Sequence, residues 1–239
     1  MSQKLLQKHR TLLRAIPLFE SLSEEDLAKV GALAQIRSFP ARAVVVTQGE
    51  PAAALFAIVT GRLKVSTSDR EGRDTVLGIM GAGEVFGEVA LIDGGARSAT
   101  CIAVEPCTLL VLDRDLFMEL LATSPGIAVK LLHVLAQRLR RLSQRSEDAA
   151  FLDVPSRLAR SLLELAARFG ERALPPHSGI RITLKLSQQE LGDLVGATRE
   201  SVNKHLSDWT RQGLLTVQSG HMLISDIQGV RRLARLHDD

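Results

Sequence analysis

The chain has 239 residues, of which 45% are hydrophobic and 24% charged, with a net charge of +3. That composition excludes a disordered polypeptide and leaves room for one large domain or two ordinary ones, each with a real core. No apolar run approaches the ~20 residues of a membrane span, and the basic N-terminal stretch MSQKLLQKHRTLLRAIPLF is broken by charges, so a cytoplasmic protein rather than an exported one is expected.

The charge is unevenly spread. Residues 1–154 carry 18 Lys+Arg against 18 Asp+Glu, whereas residues 155–239 carry 12 against 9. The basic excess therefore lies in the C-terminal third, which is weak support for a nucleic-acid partner until motifs decide it.

In chain order, Ser23-Glu24-Glu25-Asp26 predicts a helix start with an acidic first turn. From about residue 36 to 112, short β-branched runs are divided by glycine and proline: Ala43–Val46, Leu55–Val59, Leu63–Ser66 and Val76–Met80. Closely spaced runs of this kind predict an antiparallel roll or barrel. Within it, FGEVALIDGGARSAT (86–100) places Glu88 directly after Gly87 in an apolar run, then supplies Arg97 beside Ser98. A Glu88–Arg97 salt bridge and a small charged ligand both account for that pattern. Cys101 and Cys107 flank the turn Val104-Glu105-Pro106 and read as small apolar strand residues. As hairpin neighbours, they also leave a redox pair open. No metal site is expected, since two cysteines and six scattered histidines show no ligand spacing.

From about Pro125 the period changes. Leu132, Leu135, Leu139, Leu142, Ser146 and Ala149 follow a 3, 4, 3, 4, 3 spacing, the narrow seam of one long helix, read as packed on its own copy, the alternative being a helix lying on its own domain. Arg138, Arg140, Arg141 and Arg145 fall between them and are assigned to a solvated face. Pro155 can open a further helix over 156–170, and the loop Glu171–Gly179, with Pro175-Pro176-His177, is expected to be exposed.

LSQQELGDLVGATRESVNKHLSDWTRQGLL (186–215) predicts two capped helices. Ser187 and Glu190 make a capping box, Gly196-Ala197 the turn, and Thr198 the second cap, with Val202, Leu206 and Trp209 buried. The outer face then presents Arg199, Glu200, Asn203 and Lys204, as in a helix-turn-helix whose second helix meets base edges in the major groove. Leu214–Val217 and His221–Ile224 flank Ser219-Gly220 as a β-hairpin wing.

This order of parts resembles the cAMP receptor protein/FNR family of bacterial transcription regulators. The resemblance rests on QGEPAAALFAIVTGRLKV (48–65), FGEVALIDGGARSAT (86–100), FLDVPSRLAR (151–160) and QQELGDLVGATRESVNKHL (188–206), and covers nearly the whole chain. It implies an α+β fold: a cyclic-nucleotide-binding β-roll (1–126), a dimerisation helix (127–154) and a winged helix-turn-helix domain (155–239). FGEVALIDGGARSAT looks like a phosphate-binding cassette. By resemblance Gly87, Glu88 and Val89 face the nucleotide, Glu88 accepts from the ribose hydroxyl, and Arg97 with Ser98 holds the cyclic phosphate. The long helix supplies the base contact at Leu142 and Ser143, where relatives carry Thr followed by Ser or Asn. Ser187, Gln188, Thr198, Arg199, Glu200, Ser201, Asn203 and Lys204 are the implied DNA contacts.

The implied effector is a cyclic mononucleotide, cAMP or cGMP, although Leu142 cannot make a polar contact to a purine edge. Lys204 stands where relatives commonly use Arg, and Lys lacks the bidentate fork. The implied partners are double-stranded DNA, a second copy of the chain and RNA polymerase, the last through loop 171–179. Two other readings stay open: a ligand-independent regulator with a vestigial pocket, and a nucleotide-binding module acting through protein contacts. No nucleophile–base set or phosphate loop points to an enzyme.

Overall fold

The computed structural model describes residues 11–72, 74–173, 178–218 and 220–235. The chain divides into two compact units, Met1–Arg140 and Arg141–Asp239.

In the first unit, α1 (Glu24–Leu33) starts where Ser23 accepts a hydrogen bond from the Asp26 N–H. The strands are β1 (Gln35–Phe39), β2 (Val44–Val46), β3 (Ala54–Thr60), β4 (Leu63–Ser68), β5 (Asp74–Met80), β6 (Val85–Phe86), β7 (Thr100–Ala103) and β8 (Cys107–Asp113). They form two antiparallel four-stranded sheets, ordered β1-β8-β3-β6 and β2-β7-β4-β5. Between β6 and β7 lies the short helix α2 (Glu88–Asp93); α3 (Arg114–Thr123) and α4 (Pro125–Phe151) follow β8.

The continuous apolar run of β3 has a physical cause. Phe56 and Ile58 point into one cluster with Leu63, Phe86 and Leu109, drawn from both sheets. Leu55 and Ala57 point the other way, into a cluster with Leu27, Phe117, Ile127 and Leu131 from the helices. A strand covered on both faces does not alternate.

The cysteines depart from the expected hairpin. β7 and β8 belong to different sheets, so Cys101 and Cys107 are not cross-strand neighbours. Both are buried free thiols, and the Cys107 thiol donates to the carbonyls of Arg62 and Glu105. Burial pushes the Cys101 thiol up to about 12, which keeps it protonated and inert at neutral pH.

In the second unit, α5 (Val154–Phe169) begins at Asp153, which accepts from the Ser156 N–H at 3.0 Å, with Pro155 in the first turn. Then come β9 (Gly170–Arg172), β10 (Ile180–Ile182), α6 (Gln188–Val195), α7 (Arg199–Arg211), β11 (Leu215–Gln218), β12 (His221–Ile224) and α8 (Ile227–Leu233). The sheet order is β11-β12-β10-β9. The wing hairpin is thus two strands of a four-stranded sheet, and the expected loop 171–179 starts inside β9. Pro175, Pro176, His177 and Ser219 lie outside the described residues.

The last turns of α4 are tied to α5 and its cap. Arg160 bonds Asp148 at 2.5 Å, Arg145 bonds Glu164 at 3.2 Å, and Arg157 donates to the carbonyl of Leu152 at 2.8 Å. Among the described residues no single helix is long and apolar enough to cross a membrane.

Candidate functional site

The cassette is built by a tight strand-to-helix turn. Gly87 follows β6 with φ +87°, the left-handed region, and caps α2. A Cβ at Gly87 would lie 2.3 Å from Arg97 Nη1 and 3.2 Å from the Ala54 carbonyl oxygen. Glycine is therefore required twice, by conformation and by the close approach of the guanidinium.

Arg97 is only 6% exposed. Its Nη1 donates to the Gly87 carbonyl at 3.0 Å and its Nη2 to the Ala54 carbonyl at 2.8 Å. The guanidinium also sits 5.4 Å from the centroid of the Phe56 ring. Burial lowers its pKa, opposed by Cys101 in its thiolate form and by the carboxylates of Glu88 and Glu50. Among the described residues no carboxylate forms an ion pair with it.

Glu88, the first residue of α2, is 1% exposed. The Glu88–Arg97 bridge considered from the sequence does not form. Glu88 Oε1 instead pairs with Arg138 Nη1 of α4 at 2.5 Å, and Arg138 Nη2 donates to the Val85 carbonyl. Glu88 Oε2 is buried with no hydrogen-bond partner among the described residues. The cassette therefore holds a buried cation bonded only to neutral carbonyls and a buried acceptor that no donor reaches. Val89 is exposed at the surface of α2, and Ser98 is exposed beside Arg97.

Arg138 corrects the solvated-face assignment and was missed in the sequence. It is half-buried and anchored to the cassette, and Arg145 is half-buried against Glu164; Arg140 and Arg141 are exposed. The missing signal was Glu88 itself, since a carboxylate in an apolar run needs a cation from somewhere. Leu142 and Ser143 lie further along the same helix, both exposed. The seam also differs in one member: Leu135 packs on the helical core, while Leu132 is 65%, Leu139 66% and Leu142 50% exposed.

The helix pair in the second unit matches its expected caps. Ser187 and Glu190 close a full capping box on α6, Gly196 ends it with φ +64°, and Thr198 accepts from the Ser201 N–H at the start of α7. Val202, Leu206 and Trp209 are buried. Thr198, Arg199, Glu200, Asn203 and Lys204 are exposed, Ser201 is half-buried, and Ser187 and Gln188 lie at the start of α6. Gln188 Nε2 donates to Asn203 Oδ1 at 3.1 Å, which ties the first turn of α6 to the outer face of α7. Backbone N–H groups and cationic side chains at such a helix start suit phosphates and base edges.

A β-roll with a buried charged cassette, carried in one chain with a winged helix-turn-helix, defines the class of effector-controlled, DNA-binding regulators. The family model described as a cyclic nucleotide-binding domain matches residues 36–124, and that of the Crp-like helix-turn-helix domain matches residues 156–233. A CRP-like cAMP-activated global transcriptional regulator of Mycobacterium tuberculosis is 36% identical over 218 residues, covering 91% of this chain and 96% of the relative. The cAMP-activated global transcriptional regulator CRP of Haemophilus influenzae is 33% identical over 181 residues, covering 75% and 79%. Among solved structures, the c-di-GMP responsive global regulator CLP of Xanthomonas campestris aligns with a TM-score of 0.71 at 27% identity, over 84% of this chain and 99% of that one. The chain belongs to the CRP/FNR family of transcription regulators.

Proposed function

We propose that the chain acts as a cytoplasmic homodimer whose affinity for specific DNA sites is set by a cyclic mononucleotide, cAMP or cGMP, bound at Gly87, Glu88, Val89, Arg97 and Ser98. The observation that carries this reading is the pair of unmet demands in the cassette. Arg97 is buried without a carboxylate, and a cyclic phosphodiester supplies the missing charge. Glu88 Oε2 is buried without a donor, and a ribose hydroxyl supplies one. The cAMP-activated relative from Mycobacterium tuberculosis supports cAMP. Leu142 at the base position supports a weaker or different base contact, and the likeness to the c-di-GMP responsive regulator CLP supports leaving the base open.

The exposed Leu132, Leu139 and Leu142 suit a seam against a second copy. The long helix has residues in both units, so ligand binding beside Arg138 would act on the element that leads to the DNA-binding unit. By family likeness, residues 171–179 contact RNA polymerase. Arg138 also favours a second reading, since Glu88 already holds a cation: a regulator that needs no nucleotide.

Fluorescence anisotropy on a site recovered by genome-wide pull-down tests both. With cAMP or cGMP the affinity is expected to rise ~10-fold or more and to fall steeply with salt. Equal affinity with and without nucleotide selects the second reading, and failure to recover any specific site contradicts DNA regulation.

A further inference from the structure

Asn203 lies four residues after Arg199 and three after Glu200, so all three share one face of the recognition helix α7. Arg199 and Glu200 are open to partners, but Asn203 is already engaged. Its Oδ1 accepts from Gln188 Nε2 at 3.1 Å and from Ser207 Oγ, one turn further along α7, at 3.4 Å. A side-chain amide oxygen has two lone pairs, and these two donors take both. What Asn203 has left for a ligand is its Nδ2 group, with two N–H donors and no acceptor.

That changes what the residue can read. An unconstrained asparagine holds adenine with two bonds, giving an N–H to N7 and accepting one from the N6 amine. With its carbonyl engaged, the second bond is lost. Cytosine shows only an amine donor in the major groove and is rejected, whereas guanine presents two adjacent acceptors, N7 and O6.

We propose that Gln188 and Ser207 lock Asn203 as a donor-only reader that selects guanine at one position of the DNA site, with Gln188 as the positioning residue. The inference rests on the DNA-binding reading and assigns a specificity to it. Asn203 is exposed and Gln188 half-buried, and neither belongs to the buried stripe of Val202, Leu206 and Trp209.

The test is selection of the full-length chain on a random duplex library, run with cAMP, with cGMP and with neither, for wild type, Asn203→Ala, Asn203→Asp and Gln188→Glu. The position whose preference collapses in Asn203→Ala is expected to be guanine in wild type, by ~10-fold over adenine. Asn203→Asp, which can only accept, should turn that position to cytosine. The carboxylate of Gln188→Glu must accept from Nδ2, which turns the Asn203 carbonyl outward, so preference should move to adenine or cytosine. A purely structural role would lower affinity without changing the preferred base. Adenine or cytosine at that position in wild type, or one unchanged base in all four proteins, overturns the inference while DNA binding stands. A wild type that enriches no site overturns the DNA-binding reading and this inference together.

Discussion

Arg138 and Glu88 lie 50 residues apart in the chain and meet at 2.5 Å, the guanidinium of the long helix on the buried carboxylate of the cassette. Removing the arginine alone leaves a carboxylate in a site with 1% exposure. Arg138→Leu is therefore expected to cost about 3 kcal/mol of stability. Adding Glu88→Gln to it should recover a large part of that loss, because no uncompensated charge is then buried. Urea denaturation of the four proteins of this double-mutant cycle measures the coupling, and strictly additive losses would contradict the pairing.

By the family resemblance, Leu142 stands where relatives carry a threonine. Leu142→Thr, followed by the native Ser143, is expected to tighten cAMP binding about 5–10-fold, the value of one added net hydrogen bond. Titration of cAMP into both proteins checks it. An unchanged affinity would mean that the base is held elsewhere.

The exposed seam predicts self-association. Leu132→Glu with Leu139→Glu places two carboxylates where 65% and 66% exposed leucines now stand. Sedimentation velocity should show a dimer for the native chain and a monomer for the double variant. A native monomer at micromolar concentration removes the proposed interface.

Asp153 gives a pH signature. The hydroxyl and the N–H of Ser156 hold its carboxyl below the ordinary carboxylate value. A depressed folded-state pKa means that the stabilisation is complete above the unfolded value of ~3.9 and is lost as pH falls through the native value. Asp153→Ala should cost about 1 kcal/mol at neutral pH. That difference should shrink steadily on acidification below pH ~4, which denaturation across the pH range would reveal.

The local half of this molecule was legible in its sequence. Ser23, Ser187, Gly196 and Thr198 act at the helix ends they were expected to mark, because capping is decided within four residues. β3 and β4 were legible from their apolar runs. The two-residue β6 and the three-residue β9 and β10 were not, since strands that short exist only through their partners. Cys101 and Cys107 were legible as buried strand residues, but the sheet each strand joins was not: the turn between them links strands of different sheets. At the cassette, Gly87, Glu88 and Arg97, which the fold brings together, stood out in the sequence, but their bonding did not. Arg97 turns to carbonyls brought close by Gly87, and Glu88 takes its cation from a helix 50 residues downstream. Periodicity placed Arg138 between seam leucines and could not show which flank meets the β-roll.

On the proposed function, the buried Arg97 and Glu88 serve a cyclic nucleotide. Isothermal titration of cAMP, cGMP and c-di-GMP into the native chain and into Arg97→Gln, with the fold of each verified by circular dichroism, tests it most directly. The expected result is saturable binding of cAMP or cGMP to the native chain and its loss in Arg97→Gln. Absence of binding by either mononucleotide to the native chain, or equal affinity in the variant, would contradict it.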